Sequence, residues 1–253
     1  MDLFNLKGKK AIVTGAAQGL ANGMAEGLME SGVEVCIIDI SKKASDVAVA
    51  FTEKGYRCHA VNADLGDRVD LINGFNKAIE MLGGHLDIII NAAGIQKRHF
   101  SEEFPMEDWD AVINVNLNAV FSLCQLAGQQ YIKQGSKGKI INLASMLSFF
   151  GGYTVPAYAA SKGGVSQLTK ALANEWASKG INVNAIAPGY MDTELNTALI
   201  ADATRNTEIL NRIPAKRWGT PADMKGVTIF LSAEASDYLH GAILPVDGGY
   251  LGR

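Results

Sequence analysis

Lys10-Ala11-Ile12-Val13-Thr14-Gly15-Ala16-Ala17-Gln18-Gly19-Leu20-Ala21 joins an apolar β-branched run to a glycine turn and then to the start of a helical pattern. Glycine permits the tight turn from strand to helix and lets a pyrophosphate approach the backbone, where the helix N-terminus favours its charge. By itself such a turn can be no more than a turn. Its place after a first strand and before an amphipathic helix is the context that a dinucleotide site requires. Outward from it, apolar runs recur at 33–39, 56–61, 86–91, 139–144, 181–187 and 242–246, giving seven short strands with the one at 10–14. Helical apolar spacing fills most intervals, as in Leu20 to Glu30, Val69 to Leu82, Trp109 to Tyr131 and Tyr158 to Ala177. Strand and helix in alternation predict a doubly wound α/β fold: a seven-stranded parallel sheet with helices on both faces, because right-handed crossovers place them there. No linker interrupts the pattern, so residues 1–253 read as one dinucleotide-binding and catalytic domain. The departure is the mixed polar and apolar stretch from Asp192 to Arg217, which marks a substrate lid around 190–217 beyond a strand's carboxyl end.

Composition excludes several classes. With 48% hydrophobic and 19% charged residues the chain has the material of a packed core, and a net charge of −3 leaves no basic stripe for nucleic acid or an anionic membrane. The opening MDLFNLKGKK lacks the apolar stretch of a signal peptide, and no run of about 18 apolar residues occurs, so a cytoplasmic protein is expected. Cys36, Cys58 and Cys124 are odd in number and widely spaced, which suits reduced thiols, and the four histidines are isolated. No metal site is expected.

Asp39 ends the second strand, twenty residues after Gly19. A carboxylate there accepts both ribose hydroxyls of NAD and repels a 2′-phosphate, and Gln18 offers no positive charge to a phosphate, so NAD is the expected cofactor. The alternative for Asp39 is an ordinary strand-end aspartate or the cap of the next helix, and Lys42 and Lys43 soften the repulsion. Asp64 and Leu65, past the third strand, suit contacts to the adenine or an acidic turn.

Tyr158 and Lys162 stand four apart, on one face of a helix, where both reach one ligand. Ser145 lies thirteen residues earlier at the end of the fifth strand, and Asn116 falls in the stretch Asn114-Val115-Asn116-Leu117 of the preceding helix. Together with Thr14 to Ala21, Asn91-Ala92-Ala93-Gly94, and Pro188-Gly189 with Thr193, these residues make the sequence similar over nearly its whole length to the short-chain dehydrogenase/reductase family. Ala21 stands where that family carries the third glycine of its turn.

The resemblance implies a Rossmann-type fold and a cofactor held by Gly15, Gln18, Gly19, Leu20, Asp39, Asp64, Leu65, Asn91, Ala92, Gly94, Tyr158, Lys162, Pro188, Gly189, Met191 and Thr193. It implies that Tyr158 exchanges the alcohol proton, its phenolate favoured by a nearby ammonium and nicotinamide cation. Lys162 then bonds the nicotinamide ribose, Ser145 holds the substrate oxygen and Asn116 anchors a water relaying protons to Lys162. The substrate side, including Ala144 to Phe149, Ile181 to Met191 and Arg212 to Gly219, resembles the 2-dehydro-3-deoxy-D-gluconate 5-dehydrogenases, also described as 2-deoxy-D-gluconate 3-dehydrogenases. The implied reaction interconverts 2-dehydro-3-deoxy-D-gluconate and 3-deoxy-D-glycero-2,5-hexodiulosonate. Such a keto sugar acid needs its carboxylate paired, for which Arg98 comes first and Arg205 and Arg212 follow, while Ser145, Met146, Tyr153 and Tyr190 line the sugar pocket; solvated surface is the other reading of each arginine. Competing functions are a gluconate 5-dehydrogenase, a polyol dehydrogenase, a 3-oxoacyl-thioester reductase and a non-catalytic NAD-binding regulator. Helices apolar on more than one face, with the family resemblance, imply a homotetramer.

Overall fold

The computed structural model describes Asp2 to Gly252, without the side chains of Leu195 and Ala198. Seven strands form one parallel sheet: β1 (Lys10–Thr14), β2 (Glu34–Asp39), β3 (Cys58–Asn62), β4 (Ile88–Asn91), β5 (Gly138–Leu143), β6 (Ile181–Pro188) and β7 (Ile243–Val246). Their order is β3-β2-β1-β4-β5-β6-β7, so the winding reverses between β1 and β4. The third strand starts at Cys58 rather than at Tyr56, whose ring packs edge-on against Phe51. The fourth starts at Ile88, and Asp87 just before it gives its carboxylate to the Lys9 ammonium and the Lys10 amide.

Alternate strand residues feed two cores, as a sheet buried on both faces requires. Ala11, Val13, Val35 and Ile37 pack under α1 (Gly19–Glu30), α2 (Lys43–Glu53) and the helix Lys225–Ser232, through Met24, Leu28, Ala48, Phe51 and Leu231. Ile12, Cys36, Ile38, Ile89 and Ile140 pack under α3 (Arg68–Met81) and the helices Ala119–Gln134 and Pro156–Trp176, through Leu71, Phe75, Leu123 and Val165. All three cysteines are buried, and burial pushes each thiol up to about 12.

The expected single helix from Trp109 to Tyr131 is instead α4 (Met106–Ile113), a π-helical turn (Asn114–Asn118) and α5 (Ala119–Gln134). The extra residue of a π-turn shifts the side chains that follow, and here Asn116 is completely buried. By length and composition alone Met106 to Gln134 could cross a bilayer; Val112, Val120, Leu123, Cys124 and Ala127 place one face in the core instead. Beyond lie α6 (Pro156–Trp176), α7 (Thr197–Ala201), α8 (Ala203–Arg212) and α9 (Lys225–Ser232). The segment expected as a lid carries α7 and α8, and its neck is pinned: Met191 bridges Gly219, with Asp192 N donating to Gly219 O at 2.7 Å and Gly219 N to Tyr190 O at 2.9 Å.

Close approach of α1 to the turn before α9 depends on a glycine absent from the sequence reading. A Cβ on Gly23 would stand 2.5 Å from the Pro221 carbonyl oxygen and 2.7 Å from Pro221 Cβ. Gly23→Ala is therefore expected to destabilise by about 1–3 kcal/mol, the usual cost of overpacking. At roughly 2–4 °C per kcal/mol for a chain of this length, thermal unfolding should show a midpoint several degrees lower. An unchanged midpoint would mean that the contact relaxes freely.

Candidate active site

The reversal between β1 and β4 opens a crevice at the strands' carboxyl ends, where open α/β sheets place ligands. Thr14 Oγ1 fixes it, accepting from the Ala92 and Ala93 amides at 3.0 and 3.1 Å. Gly15 has φ +73°, and a Cβ there would stand 2.7 Å from Ala93 Cα, so this position needs glycine twice over. Gln18, at the N-cap of α1, makes no side-chain cap, which leaves the first N–H groups of that helix open to an anion. Asp39 is nearly buried, its Oδ2 accepting from Ala17 N at 3.0 Å and its Oδ1 from Ser41 N at 2.8 Å. Asp39 thus organises the turn at the end of β2, while the N-cap of α2 is Lys42, and its carboxylate borders the groove.

The groove encloses about 420 Å³. Of the residues implied for the cofactor, Gly15, Gln18, Gly19, Leu20, Asp39, Asp64, Leu65, Ala92, Gly94 and Thr193 line it. Uncapped helix N–H groups, a carboxylate at the end of β2 and glycine where a Cβ would clash fit a dinucleotide. The other positions lie elsewhere. The Asn91 side chain turns into the sheet, donating to Asn142 Oδ1 at 2.9 Å and Cys124 Sγ at 3.3 Å. Met191 is buried at its bridge to Gly219 and Gly189 borders the neighbouring cavity, while neither Pro188 nor Lys162 lines the groove.

Ser145 follows β5, with its Oγ accepting from Leu147 N at 3.1 Å. Pro156 starts α6, as suits a first helical position. Tyr158 and Lys162 follow one turn apart, with Lys162 Nζ 5.6 Å from the tyrosine ring centre. Burial pushes the Tyr158 phenol up, opposed by its hydrogen bond with Ser145. Lys162 is only 3% exposed; burial pulls its ammonium down to about 8, and Nζ donates to Leu143 O at 2.6 Å. In the chain by itself desolvation disfavours charge on both groups, and the expected phenolate rests on the nicotinamide cation as well as on Lys162.

Asn116 reaches this site from the π-turn. Its Oδ1 accepts from Ile95 N at 2.8 Å, and its Nδ2 donates to Ile95 O at 2.9 Å and Ser161 Oγ at 3.3 Å. The carboxamide therefore ties the loop after β4 to α6, and one Oδ1 lone pair remains for a water.

Beside Ser145 and Tyr158 lies a cavity of about 750 Å³. Arg98, Ser145, Met146, Tyr153, Tyr190 and Arg205, the residues expected around a substrate, all border it. Arg98 comes from the loop after β4, Arg205 and Arg212 from α8. Burial lowers the proton affinity of Arg98, and the Arg205 charge lowers it further.

A family model described as enoyl-(acyl carrier protein) reductase matches residues 15–251. The 2-dehydro-3-deoxy-D-gluconate 5-dehydrogenase of Escherichia coli is 47% identical over 253 residues, covering 100% of this chain and 99% of that protein. A solved structure from Agrobacterium tumefaciens, described provisionally as a 2-deoxy-D-gluconate 3-dehydrogenase with bound NADP, is 47% identical with a TM-score of 0.93, and each chain is covered in full. The chain belongs to the short-chain dehydrogenase/reductase family. The 2-dehydro-3-deoxy-D-gluconate 5-dehydrogenase of Bacillus subtilis is 45% identical across 100% of this chain and 98% of its own.

In this short-chain dehydrogenase/reductase the cavity beside Ser145 and Tyr158 also holds residues that sequence reasoning missed. Tyr250 stacks on Phe150 with ring centres 5.8 Å apart, meets Tyr190 edge-on at 5.6 Å and lies under the Arg212 guanidinium at 4.9 Å. Nothing in the local sequence marks Tyr250, since only the placement of β7 at the sheet's edge carries the C-terminal turn back to the cavity. Glu208 on α8 was missed too; its spacing from Arg205 and Arg212 puts it on their helix face.

Proposed function

We propose that this dehydrogenase interconverts 2-dehydro-3-deoxy-D-gluconate and 3-deoxy-D-glycero-2,5-hexodiulosonate with NAD(H), a step of uronate and sugar-acid breakdown. The observation that carries the reading is one cavity bordered by Ser145 and Tyr158 together with three arginines, Arg98, Arg205 and Arg212, against one carboxylate, Glu208. A polyol would bring no charge to a cavity whose arginines outnumber its one lining carboxylate, Glu208, and an acyl thioester would call for a longer apolar channel. The names of the E. coli and B. subtilis relatives support the same substrate.

A bound dinucleotide supplies or removes the hydride at the substrate carbon. The chain's own groups do the rest. Ser145 Oγ donates to the substrate oxygen and orients it, while Tyr158 Oη gives its proton to that oxygen during reduction and takes it back during oxidation. Burial keeps the phenol protonated at neutral pH, which suits donation to a ketone. Lys162, one helical turn on, reaches from Leu143 at the groove's edge to Tyr158 at the cavity's edge, so its charge acts on both ligands. Asn116 holds the Ile95 loop against α6 and keeps a lone pair for the water that refills the proton path.

The test is a panel of kcat/KM values for the purified protein with 2-dehydro-3-deoxy-D-gluconate, D-gluconate, 2-deoxy-D-gluconate, sorbitol and a 3-hydroxyacyl thioester, each with NAD and NADP. Preference for gluconate, the nearest competitor because it differs only at C2 and C3, would overturn the substrate assignment and leave the reaction type standing.

NAD is preferred on this reading because Asp39 is held by two backbone amides and cannot swing away from a 2′-phosphate at low cost. The NADP of the Agrobacterium relative makes the question experimental. Asp39→Ser is expected to move the NAD-to-NADP ratio of kcat/KM by tenfold or more towards NADP, through loss of a charge repulsion. A ratio that does not move would remove Asp39 from cofactor selection.

The assembly we propose is a homotetramer working in the cytoplasm. Phe121 and Ile132 stand exposed on the outer side of α5, where a second copy would cover them. Light scattering should return four chain masses, and a clean 26.9 kDa species would refute assembly.

A further inference from the structure

The acid group of the substrate has two guanidinia to meet, and they belong to different parts of the fold. Arg98 stands on the loop after β4, in the body of the protein, while Arg205 stands in the first turn of α8, on the lid. Both border the cavity that holds Ser145 and Tyr158. Neither takes part in an ion pair among the described residues, and the sole side-chain bond recorded for Arg98 is a long one, 3.4 Å, to Gln96 Oε1. Their charges nevertheless sense each other, since Arg205 lowers the proton affinity of Arg98. Arg212 differs, because its guanidinium already lies over the Tyr250 ring. Glu208 borders the same cavity on the Arg205 face of α8 without an ion pair to either arginine, so positive charge stays in excess there, and an entering carboxylate has two oxygens to give, one to each fork.

We propose that Arg98 and Arg205 form a two-armed carboxylate clamp, one arm on the body and one on the lid, so that the acid group of the substrate seats α8 over the reacting carbon. This rests on the sugar-acid reading above. α8 is suited to the task. Asp202 caps its N-terminus through Thr204 N and Arg205 N at 3.1 and 3.0 Å, which fixes the backbone that carries Arg205. Ile209, one turn on from Arg205, is buried in a small cluster with Ile213, Met146 and Tyr250. Met146 is the neighbour of Ser145, so a pull on Arg205 bears on the floor beside the substrate oxygen. The clamp also sets specificity: a ketose or polyol without a carboxylate leaves Arg98 and Arg205 repelling each other and the lid unseated.

The experiment uses the NADH-bound enzyme and D-gluconate, which NADH cannot reduce, so that binding is read without turnover. Titration calorimetry gives affinity, and hydrogen exchange over 197–212 reports the lid. We expect gluconate to slow exchange in the wild type. Arg98→Gln and Arg205→Gln should each weaken gluconate about tenfold to a hundredfold, in the range of one lost charge-assisted contact. The double variant should lose less than the product of the two, because one carboxylate serves both arms. Arg205→Gln should also abolish the slowing of exchange, and Arg205→Lys should restore part of the affinity. Lys97→Gln is the control for simple loss of charge, since Lys97 pairs with Asp108 at 3.3 Å away from the cavity lining; it should change nothing. Unchanged affinity in Arg205→Gln, fully multiplicative losses, or a lid that exchanges at the wild-type rate without Arg205 would each overturn the clamp. A wild type that binds gluconate in this way but reduces no keto sugar acid would instead overturn the substrate reading and leave the clamp intact.

Discussion

Tyr158→Phe is expected to lower kcat by about 10²–10⁴-fold in both directions while leaving the affinity for NADH within a factor of two or so. The substitution removes one oxygen and little volume. The ring stays on α6 beside Lys162, and the groove keeps every side chain that borders it. What disappears is the hydroxyl that, next to Ser145 and one helical turn from Lys162, is assigned the exchange of a proton with the substrate oxygen. Stopped-flow hydride transfer and fluorescence titration with NADH separate the two quantities. A variant that keeps its turnover would overturn the mechanism, and one that loses NADH as well would show that the phenol is part of the cofactor site.

Lys162→Met should have the second largest effect, a loss of turnover of about 10²-fold or more, with the fold retained. A methionine fills most of the lysine's volume. Relieving a buried ammonium whose affinity for its proton has fallen from 10.5 to about 8 returns roughly 3 kcal/mol, at 1.36 kcal/mol per pH unit. Against this, the Leu143 carbonyl loses its 2.6 Å donor, and an unsatisfied buried acceptor costs about 1–3 kcal/mol. The terms nearly offset, so the unfolding midpoint should stay within several degrees of the wild type. The same group sets a pH limb. Lys162 carries its charge below about 8 and loses it as pH rises through that value, whereas the Tyr158 phenol, raised by burial, keeps its proton beyond it. kcat/KM for ketone reduction should therefore fall as pH rises through about 8 in the wild type, and Lys162→Met should lack that limb. A wild-type profile flat to pH 9 would remove Lys162 from the rate-determining ionisation.

Both residues were legible in the sequence because the relation between them is local: four residues on a helix fix their spacing whatever surrounds them. The turn from Thr14 to Gly19 was legible for the same reason, and so was the order of strands and helices. The direction of the Tyr158 shift was not, because burial depends on what packs over the ring. The π-turn was invisible as well. What it achieves is a tertiary bond set, Asn116 to Ile95 and Ser161, and the local residues 114–118 read as ordinary helix. Position at a strand's end likewise does not say whether a side chain faces the crevice or the sheet, and that of Asn91 turns to Asn142. Tyr250 and Gly23 depend on contacts with segments far away in the chain, Phe150 in one case and Pro221 in the other.

The bridge between Met191 and Gly219 brings the two ends of the segment that carries α7 and α8 side by side on the frame. The stretch between them can grow, shrink or be exchanged without asking β6 or α9 to move, since the entropy of closing a loop changes slowly with its length. The frame keeps Ser145, Tyr158, Lys162 and the dinucleotide groove, whereas Arg205, Glu208 and Arg212 travel with the insert. Inheritance can therefore revise what this fold accepts while the means of moving a hydride and a proton stays fixed, as a socket outlasts the tools fitted to it.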